Sequence, residues 1–255
     1  MAAAGILRVA LVLAALIPLP APAQPQPALP PTTPAAEPLI APALPPDAEF
    51  ARNIALIRAD LLVADALVKE RNWVDARPHV TFPREEIYGV IRDDLRTYKT
   101  PPFDAALRAV ERAVAARSLK GYQRAMTRVR AALVDAEFGL RARQKDWSRF
   151  TLQVAVATLR DAADEYDDAV ANGRIVRDVG YQSARGIVAE ASRMVDDVAG
   201  ALVARDARAT QALRGILLRL TDIFAPLAAP KEPRADVEAV RGLVAQADAL
   251  ARALR

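Results

Sequence analysis

Apolar residues recur at every third or fourth position through almost the whole chain from residue 47 onward. This is the period of an α-helix that buries one of its faces. Prolines, glycines and asparagines interrupt the pattern at the places where helices are expected to end. The connections between the periodic stretches are short, which predicts an all-α fold, an antiparallel bundle of seven to eight helices. The predicted helices span 47–71, 83–98, 103–114, 121–144, 146–172, 178–202, 206–224 and the stretch from 235 onward.

The ends of these helices carry recognisable residues. Asp47, Asp146, Asp178 and Asp206 each stand where a carboxylate accepts hydrogen bonds from the first backbone N–H groups of a helix, so we predict that they act as N-caps. Asn172-Gly173 is predicted to end the fifth helix, because both residue types enter the left-handed conformation at low cost.

The first part of the chain differs from the rest. Residues 1–23 contain an apolar run of about nine residues and end in Ala-Pro-Ala, which predicts a secretory signal peptide that is cleaved after Ala23. The alternative is an uncleaved anchor, but a bilayer-spanning helix needs roughly 20 apolar residues. Residues 24–46 are rich in Pro and Ala and are predicted to be a disordered leader, and 47–255 are predicted to form the bundle domain. The expected location is periplasmic or secreted, with no transmembrane span after signal cleavage.

Composition narrows the chemistry. The chain is 53% hydrophobic but only 5% aromatic, which favours aliphatic helices over a β-sandwich. It has no cysteine, which excludes disulfides, thiolate metal sites and cysteine nucleophiles. The net charge is +4, and basic and acidic residues alternate along most helices. A nucleic-acid interface usually has a clustered stripe of Lys and Arg, and since the sequence suggests none, no nucleic-acid partner is expected.

The segment Trp73–Tyr88 contains the only histidine, His79, followed by Pro83, Glu85 and Glu86. An imidazole and a carboxylate together suit iron, copper or zinc. If the bend before Pro83 directs His79 towards Glu86, the two side chains form part of a metal site. The alternative is structural, because acids are favourable in the first turn of a helix and a histidine at a bend can hydrogen-bond a backbone carbonyl.

A second group of acids lies on the fifth predicted helix, where Asp161, Asp164, Glu165 and Asp168 share one face. With help from a neighbouring helix they could hold a cation. The alternative is a solvated acidic surface. Combining both regions, the predicted metal ligands are His79, Glu86 and Glu165, and the candidate ion, iron or copper, is not specified by the sequence.

No catalytic motif is found. The chain has no phosphate-binding glycine loop, no Gly-x-Ser-x-Gly elbow and no His-Glu-x-x-His pair. General-base catalysis by His79 would require a pocket that brings a nucleophile within hydrogen-bond reach. The protein is therefore predicted not to be an enzyme, with neither catalytic nor cofactor-binding residues.

The residues from Glu165 to Ile175, Glu-Tyr-Asp-Asp-Ala-Val-Ala-Asn-Gly-Arg-Ile, together with Tyr181-Gln182, resemble the extracytoplasmic helical segment fused to some bacterial iron permeases of the FTR1 family. The chain also resembles imelysin-type periplasmic helical proteins, which are linked to iron uptake. Neither family's ligand motif is complete. The Arg-Glu-x-x-Glu motif of the permeases ends in Tyr88 here, and the Gly-x-His-x-x-Glu motif of the imelysins has Arg77 and Phe82 at its ends. The resemblance implies a periplasmic helical accessory protein in metal handling that does not itself transport the ion.

Two functional hypotheses follow. The first is an exported, non-enzymatic helical-bundle protein that binds a metal ion or a partner in metal uptake. The second is a structural or protein-interaction module of the cell envelope that binds no metal. The oligomeric state, the partner and the pairing of the helices are left open by the sequence.

Overall fold

The computed structural model describes residues 43–254. The predicted signal peptide 1–23 and most of the predicted leader 24–46 lie outside the described residues. Within the described part, the predicted all-α bundle is confirmed. Its helices are α1 (Pro46–Lys69), α2 (Trp73–Phe82), α3 (Gly89–Ile91), α4 (Asp104–Ala115), α5 (Leu119–Arg141), α6 (Trp147–Ala169), α7 (Asp178–Asp197), α8 (Ala199–Arg205), α9 (Ala207–Ile223) and α10 (Val237–Leu254).

Two of the four predicted N-caps are confirmed. Asp146 accepts a hydrogen bond from a backbone N–H of α6 at 3.0 Å, and Asp206 accepts one from α9 at 2.9 Å. The predictions for Asp47 and Asp178 are wrong, because both residues lie inside the first turn of their helices and no side chain caps either α1 or α7. Acids at these positions still interact favourably with the positive end of the helix dipole.

Asn172 and Gly173 do have positive φ angles, 53° and 69°. They do not end α6, however. They connect two short antiparallel strands, β1 (Val170–Ala171) and β2 (Arg174–Ile175), in which Val170 pairs with Ile175. Asn-Gly is a preferred sequence for a two-residue hairpin turn because both positions require positive φ. The connection between α6 and α7 is therefore a small β-hairpin.

The segment that contains the histidine is helical throughout. α2 begins after Asn72, whose side chain accepts a hydrogen bond from the backbone N–H of Asp75 at 3.3 Å. From Pro83 to Tyr88 the helix widens into a π-helix and then continues as α3. A proline removes one backbone hydrogen bond and crowds the preceding turn, and wide turns often occur at such defects.

The packing has two parts that share α1. In one part, α6, α7, α9 and α10 form a closed four-helix bundle in which each helix contacts the next. In the other part, α2, α4 and α5 pack together beside α1. α1 contacts α6 and α7 on one side and α2 and α5 on the other, and a single hydrophobic core joins both parts. The helix that connects the two parts also contributes to the site described below.

None of the helices in residues 43–254 is both long enough and apolar enough to cross a membrane.

Candidate functional site

His79 lies where α1, α2 and α7 meet, and only 1% of its surface is exposed. Its Nδ1 atom is 2.9 Å from Oδ1 of Asp60 on α1. Its Nε2 atom is 3.1 Å from Oε1 of Gln182 on α7. Asp60 and Gln182 are themselves buried. The imidazole therefore joins three helices through a fully buried polar contact.

Further hydrogen bonds hold the two partners of His79 in place. The amide nitrogen of Gln182 donates to the backbone carbonyl of Leu227 at 3.2 Å, in the loop after α9. The hydroxyl of Ser183 donates to Oδ1 of Asp60 at 3.2 Å. Because the amide nitrogen of Gln182 donates to Leu227, the amide oxygen of Gln182 faces His79. Both ring nitrogens thus face side-chain oxygen atoms, one of Asp60 and one of Gln182.

This arrangement explains what His79 does in the fold. The imidazole and the Asp60 carboxyl group are hydrogen-bonded to each other in the core, where a polar group is tolerated only when it is paired. Both ring nitrogens are engaged by hydrogen-bond partners in this geometry. Metal binding through Nε2 would require the release of Gln182.

Sequence reasoning missed Asp60 and Gln182. One signal for Asp60 was present, because it falls on the apolar face of α1 between Ile57 and Ala64. An acid on a buried helix face requires a partner. No comparable signal pointed to Gln182, since a glutamine at this position is equally suited to solvent.

Glu86 does not meet His79 through a hydrogen bond. Glu85 and Glu86 are both exposed, and Glu85 accepts a hydrogen bond from the neighbouring Arg84 at 2.9 Å. Among residues 43–254, no group of three or more His, Asp or Glu side chains has the arrangement of a metal site. The structure thus places the predicted ligands on different parts of the surface and core, and the metal site at His79, Glu86 and Glu165 stays a prediction.

Glu165 interacts electrostatically with Asp60, the hydrogen-bond partner of His79. It is half-buried on α6, and burial raises the pKa of its carboxyl group. The negative charge of Asp60 raises it further, whereas Arg177 opposes the shift. The charge of Asp60 therefore influences Glu165, although no hydrogen bond joins the two residues.

The remaining acids of α6 are mostly ion-paired. Arg52 of α1 binds both carboxylate oxygens of Asp161, at 2.7 and 2.5 Å. Burial raises the pKa of Asp161, and Arg52 opposes this effect. Asp168 lies 3.5 Å from Arg177. The acidic face of α6 therefore binds mainly α1, through Arg52, and the segment between β2 and α7, through Arg177.

A second buried acid, Glu190, lies on α7. It accepts hydrogen bonds from Nε and Nη2 of Arg193 at 2.8 and 2.7 Å. Arg58 of α1 approaches the same carboxylate at 3.5 Å and also donates to Glu137 of α5 at 3.1 Å. These charges line a cavity whose wall includes the buried hydroxyl of Thr151, which has no hydrogen-bond partner within the described residues. The cluster joins α1, α5 and α7 in the same way that His79 joins α1, α2 and α7.

A groove with a volume of about 690 Å³ lies between α7 and α9, and Val203 of α8 contributes to its lining. Its lining is mainly apolar and includes Val203 and Leu217. Leu218 stands at its edge with 71% of its surface exposed. An ion pair between Arg214 and Asp196, at 3.0 Å, also lines the groove. Burying such exposed apolar surface against another molecule is favourable.

The four helices that form the closed bundle all lie in the second half of the chain. Residues 141–254 match the family model of the iron permease-associated 4-helix bundle domain. The resemblance to the helical segment of FTR1-type iron permeases is therefore confirmed. No curated protein and no solved structure gives a significant match to the chain.

Residues 141–254, which match the model of the iron permease-associated domain, contain α6 through α10, and the four long helices of this region are those that contact one another in the closed bundle. Gln182, Glu190 and the α7–α9 groove belong to it. Asp60 and His79 do not, because they lie on α1 and α2, before residue 141. Each of the two buried polar clusters thus joins the permease-associated domain to the helices that precede it.

Proposed function

We propose that this protein is an exported, non-enzymatic accessory protein of an iron permease, and that it binds the permease through its four-helix domain. The observation that supports this proposal is the match of residues 141–254 to the iron permease-associated 4-helix bundle domain. The incomplete Arg-Glu-x-x-Glu motif at Arg84-Glu85 also favours an accessory role over transport.

The α7–α9 groove is the best candidate for the permease-binding surface. It lies entirely within the permease-associated domain. Leu218 exposes a large apolar area there. Removing such an area from water on binding is favourable. We propose that the occupant is an apolar segment of the permease.

The proposal is tested by co-purification with the iron permease of the same cells after chemical cross-linking. Leu218→Asp places a charge at the groove, and we expect recovery of the permease to fall at least tenfold. Val74→Asp is the matched control, because Val74 is 70% exposed but lies on α2, outside the domain. Failure to recover the permease, or an equal loss with both variants, would contradict the proposal.

The second candidate is an envelope interaction module that binds no metal. It is favoured by the engagement of both His79 ring nitrogens, by Asp60 and by Gln182. The two candidates differ in the partner that they require, an iron permease or another envelope protein, so the identity of the cross-linked partner separates them. Export is tested separately, by N-terminal sequencing of the protein recovered from outside the cytoplasm, where a new terminus at Gln24 is expected.

A further inference from the structure

One stretch of the sequence is rich in basic residues and lacks acidic ones. Between Glu111 and Asp135 the sequence contains six basic residues and no acidic residue, so this stretch alone carries more than the net charge of +4 of the whole chain. Most of the stretch forms the first two thirds of α5. The six residues are Arg112, Arg117, Lys120, Arg124, Arg128 and Arg130.

Three of these residues form a stripe on α5. Lys120, Arg124 and Arg128 are spaced four residues apart, so they lie along one face of the helix. All three are exposed, whereas Tyr122 and Val129 on the opposite face are buried in the core. The stripe therefore points away from the rest of the protein.

The charges of this stripe are not neutralised. Among the described residues, no ion pair or side-chain hydrogen bond involves Lys120, Arg124 or Arg128. Of the six basic residues, Arg130 alone has an acidic partner there, Asp65 of α1. Elsewhere the protein pairs many of its arginines, as with Arg52, Arg193 and Arg241. Three adjacent unpaired cations attract an anionic surface.

The same face of α5 also carries exposed apolar side chains. Phe138 lies five helical turns beyond Lys120 on the same side and is 74% exposed, and Val134 is 62% exposed. This face extends for about 27 Å along the helix, from Lys120 to Phe138. A straight helix face of this length can contact a flat surface along its whole length. Basic side chains and an exposed phenylalanine on one helix face are characteristic of helices that lie at a membrane surface.

We propose that the exposed face of α5 binds an anionic phospholipid surface. Lys120, Arg124 and Arg128 contact the phosphate groups of the lipids, and Phe138 enters the boundary between headgroups and acyl chains. A lipid surface fits better than nucleic acid, because an exposed valine and phenylalanine gain from an acyl environment and gain little from a phosphate backbone. The inference goes beyond permease binding, since α5 ends at Arg141, where the permease-associated domain begins.

The test measures co-sedimentation of the purified protein with vesicles of phosphatidylcholine and phosphatidylglycerol in a three-to-one ratio, and with vesicles of phosphatidylcholine alone. The protein is expected to bind only the anionic vesicles, and less strongly as salt is raised. Each basic residue near such a surface changes the partition by roughly fivefold. The combined variant Lys120→Gln, Arg124→Gln, Arg128→Gln should therefore bind about a hundredfold more weakly.

The matched control removes three other exposed arginines that have no ion pair in the described part of the chain, with the changes Arg149→Gln, Arg208→Gln and Arg219→Gln. It loses the same charge from α6 and α9, and we expect vesicle binding close to that of the unaltered protein. Phe138→Ser tests the apolar contact and should weaken binding by roughly tenfold. Circular dichroism confirms that each variant keeps its helices.

Three outcomes would overturn the proposal. The first is absence of binding to anionic vesicles. The second is an equal loss of binding in the α5 variant and the control variant, which would indicate attraction by net charge alone. The third is binding of an arbitrary DNA or RNA oligonucleotide in preference to the vesicles, which would assign the stripe to nucleic acid. None of these outcomes depends on the permease, because the vesicles contain none.

Discussion

A β-carbon at Gly186 would lie 2.5 Å from the backbone carbonyl oxygen of Ala59, closer than non-bonded atoms approach. The absence of a side chain at Gly186 therefore allows α7 to lie directly against α1. We predict that Gly186→Ala lowers the free energy of unfolding by about 1–3 kcal/mol, because the helices must separate. Urea unfolding followed by circular dichroism measures the change.

Gly215 provides the control for this prediction. It lies in α9, and a β-carbon there would meet no atom within 4 Å. Alanine is favoured over glycine inside a helix, so Gly215→Ala should raise the free energy of unfolding by about 0.5–1 kcal/mol. If Gly186→Ala stabilised the protein to the same extent, the close contact between α1 and α7 would be refuted.

The buried carboxylate of Glu190 gives the second prediction. Glu190→Ala removes the shared acceptor of Arg58 and Arg193, and we expect a loss of roughly 2 kcal/mol in the free energy of unfolding. The loss is moderate because Arg58 keeps Glu137 and Arg193 keeps Asp197 as partners. A double-mutant cycle with Arg58→Ala should show coupling between the two sites. Strict additivity would mean that Glu190 does not attach α1 to the permease-associated domain.

The histidine network gives the third prediction. His79→Ala leaves the carboxylate of Asp60 and the amide oxygen of Gln182 without their buried partner, so stability should fall by about 1–3 kcal/mol. Glu86→Gln is the control and should leave stability unchanged, because Glu86 is exposed. Thermal unfolding of both variants provides the measurement.

The same two variants test the metal hypothesis. Titration calorimetry with iron, copper and zinc ions is expected to give no His79-dependent binding if the ring acts only as a connection between helices. Binding that is lost in His79→Ala and weakened in Glu86→Gln would instead establish the metal site predicted from the sequence.

Asp146 gives a pH-dependent prediction. It accepts hydrogen bonds from the backbone N–H of Arg149 and from Arg205 and Ser148, which lowers its pKa from 3.8 to about 2. A folded-state pKa below the unfolded value means that the carboxylate stabilises the fold at neutral pH and loses this effect as the pH falls from about 4 to about 2.

Asp146→Ala should therefore cost about 1 kcal/mol at pH 7, with the difference from the unaltered protein shrinking as the pH approaches 2. Asp178→Ala should have a smaller effect, because Asp178 makes no capping hydrogen bond. Thermal melts at a series of pH values provide the comparison, and equal losses for both variants would argue against the cap.

The pKa of Glu165 is shifted in the opposite direction from that of Asp146. Burial raises the pKa of this carboxyl in the folded protein, so ionisation opposes folding. The unfavourable contribution is absent below the unfolded-state pKa, grows as the pH rises from that value and is complete above the folded-state pKa. Glu165→Gln should therefore melt at a higher temperature than the unaltered protein at pH 7, and at the same temperature at pH 3. A lower melting temperature at pH 7 would show that the ionised carboxylate has a stabilising partner.

The features that sequence alone predicted correctly depend on residues close together in the chain. The helical period, the caps at Asp146 and Asp206, and the positive φ angles of Asn172 and Gly173 all arise from interactions within about four residues. The resemblance to the iron permease family was likewise found in one continuous stretch. Asp47 was misassigned by two positions and Asp178 by one, because the exact first residue of a helix depends on what precedes it.

The partners of His79 could not be predicted in the same way. Asp60 lies 19 residues from it and Gln182 lies 103 residues away, and no local pattern indicates which helices will pack together. The α5 stripe was also missed, although the sequence itself contains six basic residues and no acidic residue between Glu111 and Asp135. The structure adds that Lys120, Arg124 and Arg128 are exposed and form no ion pair within the described residues.

Sequence by itself thus determined the helices and the resemblance of the second half of the chain to the iron permease-associated domain. Tertiary structure decided which polar groups meet, since a buried charge must find its partner wherever the packing of apolar faces places it.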